Sequence, residues 1–308
     1  GGYNPELAGG AKQQENIIKK LKKKIEFNII SFSRLYDDKI SFKKKKIYRI
    51  KRYSNFLIIK SILKIIVYFF SIRNDFDVLH LRGGAKRVIL LIFLGKLLGK
   101  KILYTPTRYK EDDLYTLKKD NKIIYFFLKK INFLHCMSPI FFKSKNSFVK
   151  NFNLIHLPNL VDTSIFRKFK KKKKKIPNIL CVGFFSNIKN QMLLYKAWCN
   201  VVKKNECTLT FVGKKKIFDY YLSESQIYKK IIKDAKSRKI FHKIKFINHS
   251  NNMHLLYNQS DVFVLPSQSE GMPNSLLEAM SFGAPILSSN AASLPEVGGN
   301  VPIYFDPI

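Results

Sequence analysis

Two carboxylates, Glu270 and Glu278, stand with seven residues between them in the segment Asp261-Val-Phe-Val-Leu-Pro-Ser-Gln-Ser-Glu-Gly-Met-Pro-Asn-Ser-Leu-Leu-Glu-Ala-Met-Ser-Phe-Gly-Ala-Pro. Val262 to Leu265 form an apolar run that Pro266 ends, and the loop that follows leads to a helix opening at Asn274 or Ser275, both good N-cap types. Gly283 and Pro285 close that helix. A strand-loop-helix of this kind turns free N–H groups and the positive end of the helix dipole toward the carboxyl edge of a sheet, a geometry that holds phosphate. Carboxylates repel a diphosphate but accept hydrogen bonds from hydroxyl groups, so the pair suits a sugar on one side and a ribose on the other. Gly271 allows the backbone closer to a ligand than any side chain would. The same spacing also describes a surface loop acid followed by an exposed helix glutamate, and spacing alone does not separate the two.

Short apolar runs alternate with longer helical patterns along the whole chain, which predicts parallel sheets covered by helices. In the first half, strands are expected at 28–33, 77–81, 101–105, 133–138 and 154–157, with helices at 12–24, 53–70, 85–98 and 114–130. The second half repeats the rhythm with strands at 179–183, 209–213, 244–248, 261–265 and 285–288. At 308 residues, two α/β domains are expected: 1–165 and 178–308, joined by a lysine-rich linker at 166–177 whose run Lys170 to Lys175 repels itself. Both ends read as cut, since no strand precedes the first helix and no helix follows the strand-like 302–305.

The full pattern Pro-Ser-x-x-Glu-Gly-x-Pro-Asn-x-Leu-Leu-Glu-Ala-Met-x-x-Gly-x-Pro, with Leu294-Pro295-Glu296-Val297-Gly298-Gly299 and Tyr304-Phe305-Asp306-Pro307 downstream, resembles glycosyltransferase family 4. The resemblance implies the GT-B fold, two Rossmann-like doubly wound domains facing across a cleft. It also implies a retaining nucleotide-sugar enzyme that needs no metal or other cofactor. Leu157-Pro158-Asn159-Leu160-Val161-Asp162 is similar to the segment by which that family enters its interdomain linker. By the same likeness Glu270 and Lys189 are the catalytic residues, Glu270 orienting the sugar and Lys189 neutralising the leaving diphosphate. Donor contacts are expected from Glu278, Gly271, Met272, Asn274, Ser275, Leu276, Leu277, Gly183 and Gly10, the last in a glycine loop ahead of the first helix. Two positions depart from the pattern. Phe184 stands where the family places an Arg against the diphosphate, leaving Lys214 or Lys215 as candidate substitutes, and Thr105-Pro106-Thr107 stands where many members carry a sugar-contacting His. His80 is the histidine nearest that face. Glu111, Asp112 and Asp113 fit either an acceptor cleft or the acidic first turn of a helix.

The expected acceptor is a hydroxyl of a glycan or lipid-linked acceptor in envelope polysaccharide synthesis, and the expected donor a UDP- or GDP-sugar. The charge is lopsided, with 57 Lys and Arg against 21 Asp and Glu for a net +36. Such an excess suits an anionic membrane surface, while the abundance of Lys, Ile, Asn and Phe also fits AT-rich coding. The lysine run lacks interleaved aromatics, which argues against nucleic acid. The alternative reading is a basic membrane- or nucleic-acid-binding protein on the same scaffold with little transferase activity. Cys136, Cys181, Cys199 and Cys207 show neither zinc-ligand nor disulfide spacing. Reduced thiols place the chain in the cytoplasm, on the inner face of the membrane if it binds lipid. The stretch 56–70 is short for a span and reads as an amphipathic helix.

Overall fold

Parallel pairing explains the second half of the chain. The computed structural model describes residues 9–21, 23–33, 38–42, 45–51, 58–111, 113–142, 152–167, 176–213, 222–248, 250 and 252–308. Strands β8 (Asn178–Val182), β9 (Thr208–Val212) and β10 (Ile244–Ile247) alternate with helices α6 (Gln191–Val201) and α7 (Leu222–Ser237). Strands β11 (Val262–Leu265), β12 (Ile286–Ser289) and β13 (Ile303–Phe305) follow, with α8 (Met253–Gln259) ahead of β11 and α9 (Asn274–Ser281) and α10 (Leu294–Gly298) between them. Each neighbouring pair is parallel, in the spatial order β10-β9-β8-β11-β12-β13. The order runs outward from β8 in one direction and from β11 in the other, so it reverses between them.

Period-two alternation splits this sheet between two cores. Cys181, Leu209, Phe211 and Val264 pack on one face with Tyr195, Trp198 and Ile231 of the helices. Leu180, Val212, Phe263 and Leu265 pack on the other with Tyr257, Leu276 and Leu294. Burial on both faces is why these strands read as continuous apolar runs.

The chain divides into two compact units, Gly1–Met137 with Phe141–Asn159 and Ser138–Ile140 with Leu160–Ile308. The division therefore falls at Asn159, ahead of the expected boundary, while Lys170 to Lys175 lie outside the described residues. In the first unit, β4 (Val78–Arg82), β5 (Lys101–Thr105), β6 (Phe133–Cys136) and β7 (Asn153–His156) form a parallel sheet in sequence order, with α3 (Ala85–Leu97) crossing from β4 to β5. The expected helix over 114–130 is two helices, α4 (Leu114–Asp120) and α5 (Lys122–Leu128). Asn121 breaks it by leaving helical geometry at φ −152° and capping the second piece through Ile124 N–H at 3.1 Å.

Residues 27–51 form a second sheet where one strand was expected. It holds β1 (Phe27–Ser33), β2 (Asp38–Phe42) and β3 (Lys45–Lys51) in the order β1-β3-β2, with β2 and β3 antiparallel and Ile40 opposite Ile47. Every second residue of this lysine-rich stretch is apolar or aromatic over much of its length, a strand period that the charge conceals. Before and after it run α1 (Gly9–Leu21) and α2 (Ile58–Ser71). Among the described residues no helix is long and apolar enough to cross a membrane. All four cysteines are buried and free, and burial pushes the Cys136 and Cys181 thiols up to about 12.

Gly213, just past β9, lies against the backbone just past β8. A Cβ placed there would meet the Gly183 carbonyl oxygen at 2.0 Å and its carbon at 2.5 Å. Both strand ends are anchored in the sheet, so neither can retreat. Gly213→Ala is expected to cost about 1–3 kcal/mol in denaturant unfolding through this overpacking, with the far-UV spectrum of the folded protein unchanged.

Candidate active site

Order reversal sends the chain after β8 and after β11 to helices on opposite faces of the sheet, and the carboxyl ends of two such strands are where open α/β sheets take a ligand. The two loops supply Lys189 and Glu270. Their side chains, 81 residues apart in sequence, meet in an ion pair between Lys189 Nζ and Glu270 Oε1, and both are largely buried, at 16% and 11% exposure. The backbones are tied as well, Gln268 N–H donating to the Ile188 carbonyl at 2.7 Å. Behind them Gln191 donates to the carbonyls of Gly183 (3.3 Å) and Phe184 (2.8 Å) and accepts from Ser186 N–H at 3.2 Å, which fixes the first loop. Asn190 makes the sharp entry to α6 in the left-handed region at φ 52°, a conformation Asn tolerates better than most residues.

The Glu270 loop is held along its length. Ser293 Oγ donates to the Glu270 carbonyl at 2.9 Å, Ser138 Oγ to the Gly271 carbonyl at 2.9 Å, and Ser289 Oγ to that of Ser267. Ser267 Oγ itself is buried without a partner among the described residues. Gly271 and Pro273 are buried, Met272 half-buried.

The amide end of α9 is narrower than expected. Leu276 and Leu277 N–H both donate to the Pro273 carbonyl, at 3.1 and 3.3 Å, and the Leu276 side chain is wholly in the core. Ser275 N–H is left without a protein partner among the described residues. One turn on, Glu278 accepts from Tyr257 Oη at 2.9 Å, and the same hydroxyl lies 3.3 Å from the Ser275 carbonyl. Burial, then the Glu278 charge, push the Tyr257 hydroxyl well above its ordinary range. Tyr257 was not singled out by sequence reasoning, because its contact with Glu278 depends on how α8 packs against α9.

Phe184, at the expected Arg position, is 41% exposed and faces Lys189, whose Nζ lies 5.7 Å from the ring centre. An aromatic face attracts that cation but offers an anion nothing. Lys214 and Lys215 lie outside the described residues. Gly9 and Gly10 are the first residues of α1 itself rather than of a loop before it. A cavity of ≈ 290 Å³ adjoins the two loops, lined by Asn187, Asn190, Met192, Ile227, Lys230 and Gln268, and does not include Lys189 or Glu270.

In the first unit, Pro106 and Thr107 follow β5 as expected, and the histidines gather beside them. His80 Nε2 is 2.8 Å from Thr105 Oγ1, which is 3.0 Å from His135 Nδ1, and His135 Nε2 is 2.7 Å from the Leu157 carbonyl. Desolvation, then the Arg82 charge and then His135, lower His80, although its side chain reaches the surface, and desolvation above all lowers His135. Asp113 proves to be a helix cap, accepting from Thr116 N–H at 3.0 Å, and Glu111 pairs with Arg108 at 2.5 Å. Asp112 lies outside the described residues.

Residues 162–300 match the family model described as Glycosyl transferases group 1. The chain is 31% identical over 144 residues to an uncharacterized glycosyltransferase of Haemophilus influenzae, covering 46% of this chain and 37% of that relative. It is 26% identical over 303 residues to the Escherichia coli O-antigen biosynthesis glycosyltransferase WclY, covering 94% of this chain and 79% of the other. The crystal structure of Anabaena Alr3699/HepE in complex with UDP and glucose superposes with a TM-score of 0.71 at 13% identity, over 99% of this chain and 84% of that one. The fold is therefore that of GT-B glycosyltransferases, and the chain spans less than two thirds of the length of the first of these relatives.

Two outcomes follow. Tyr257→Phe leaves Glu278 short of a buried hydrogen bond and is expected to cost about 1–3 kcal/mol in chemical denaturation. A histidine whose folded pKa is depressed binds protons first in the unfolded chain, so stability is complete above about pH 6.5 and falls as pH drops below it. Denaturation midpoints recorded from pH 7 to pH 4 should fall less steeply in His80→Gln/His135→Gln than in the wild type.

Proposed function

We propose that the chain transfers a sugar from a UDP- or GDP-linked donor to a hydroxyl of a glycan or lipid-linked acceptor, with retention of anomeric configuration. The observation that carries this reading is the Lys189–Glu270 pair at the point of order reversal, beside the amide end of α9. A donor diphosphate exchanges for Glu270 as the partner of Lys189, and the freed carboxylate turns to the sugar hydroxyls. Glu278, held by Tyr257, takes the ribose hydroxyls. The neighbour bound to UDP and glucose lends support to a uridine donor, and the O-antigen relative to a polysaccharide acceptor.

In the reaction the bond from the anomeric carbon to the diphosphate oxygen breaks as one forms from that carbon to the acceptor oxygen. The acceptor proton passes to the departing diphosphate oxygen, which stays on the face attacked, so configuration is kept. Lys189 and the Ser275 N–H stabilise the negative charge that develops there, the dipole of α9 adding to them, and the proposed chemistry asks for no metal. The excess of lysine suits a peripheral seat on anionic membrane, where a lipid-linked acceptor resides. Leu63 and Val67, one turn apart and exposed on α2, add apolar surface to it. With Phe184 at the Arg position, a protein that binds donor with little turnover is the second reading.

A screen of UDP- and GDP-sugars by thermal shift is expected to find one donor that stabilises the chain. With that donor, Glu270→Gln should keep the nucleoside diphosphate affinity within a few-fold and lower transfer about 100-fold, whereas Lys189→Ala should lose diphosphate binding. Full transfer by Glu270→Ala would sink the assignment. Donor binding without transfer by the wild type would favour the second reading.

A further inference from the structure

The C-terminal ends of β4, β5 and β6 carry a polar cluster that the donor chemistry does not use. His80 and Arg82 are two residues apart on β4 and so project to one face, and the register sets Arg82 opposite Thr105. The other face of these strands carries Leu81, Ile102, Tyr104 and Leu134, all buried.

The hydrogen bonds of the cluster have a fixed direction. A carbonyl only accepts, so the Leu157 oxygen requires a proton on His135 Nε2. His135 is neutral, so its Nδ1 accepts and Thr105 Oγ1 donates to it. The threonine oxygen in turn accepts from His80 Nε2–H. This places the free lone pair of His80 on Nδ1, which has no partner among the described residues. A fully buried Thr105 holds the ring in that state.

Arg82 is half-buried and desolvation lowers it to about 10. Its polar contact is the Met137 sulfur at 3.5 Å, and no carboxylate pairs with it among the described residues. A guanidinium withdrawn from water without an anion is costly to keep, and a bidentate anion is the partner its planar fork fits best.

We propose that His80 and Arg82 form a second ligand site, one that takes a molecule carrying a hydroxyl beside a phosphate or carboxylate, with the hydroxyl donating to His80 Nδ1 and the anion seated on Arg82. Calling that molecule the acceptor rests on the transferase reading; its binding does not. The acceptor is then an anionic saccharide or a sugar attached to a phosphate, held in the first unit by groups separate from Lys189.

The test is calorimetric titration of the full chain carrying Lys189→Ala, which removes the donor site's cation, with glucose 1-phosphate, glucuronate and inorganic phosphate. Glucose 1-phosphate or glucuronate is expected to bind, and whichever is tighter identifies the anion as phosphate or carboxylate. Arg82→Gln should weaken that probe at least tenfold, and Arg82→Lys less. Thr105→Val cannot accept from His80 and should weaken the hydroxyl-bearing probe several-fold while leaving inorganic phosphate unchanged, a split that general loss of structure would not give. Thermal unfolding of each variant identifies any that fail to fold, and Arg82→Lys then stands in for Arg82→Gln. No binding of any probe, or equal binding with and without Arg82, would overturn the proposal. UDP titrated into the chain with Lys189 intact separates the two readings: loss of UDP binding with retention of the Arg82-dependent probe removes the donor assignment and leaves this site standing.

Discussion

The reversal of strand order between β8 and β11 is the constraint on which the second unit depends. Two strands that are neighbours in space but far apart in sequence send the helices that follow them to opposite faces of the sheet, while their loops meet at the strand ends. That divergence leaves Lys189 and Glu270 at the strand ends, paired with each other between the two following helices. The two buried cores, one on each face, hold the strands in this arrangement, and the Gln268 N–H bond to the Ile188 carbonyl keeps the two loops together.

Much of this unit was legible in the sequence, because a parallel strand buried on both faces must be a short apolar run bounded by turn residues. The runs ending at Gly183 and Gly213 fell within one residue of β8 and β9. The loop and helix around Glu270 and Glu278 were readable from Pro266, Gly271 and Gly283, which act locally, but the expected Asn274 or Ser275 cap was not: Pro273 precedes the first turn and no side chain caps it. The ion pair was not. Its members are 81 residues apart, and no local propensity expresses which strand lies beside which. The same holds for Tyr257 against Glu278 and for the histidines joined through Thr105.

Other misreadings have local causes. A continuous helical period ran through 114–130, yet Asn121 could satisfy the amide of Ile124 from outside the helix and so divided it. Frequent lysines between 38 and 51 concealed a strand period, and β3 proves to be the central strand, paired with β1 on one side and β2 on the other. Asp113 resolved in favour of the simpler of its two readings, a carboxylate spent on capping its own helix.

Pairing Lys189 with Glu270 also bears on selectivity. A lone lysine beside a helix end would be occupied by whichever phosphate compound is most abundant. Here any anion must compete with a carboxylate already in place, and a simple phosphate that displaces it leaves Glu270 largely buried without compensation. A nucleotide sugar, on the proposed reading, offers an anion to the lysine and hydroxyl groups to the carboxylate in the same molecule. Occupancy then becomes an exchange that favours ligands able to satisfy both halves, and the empty site carries its own competitor.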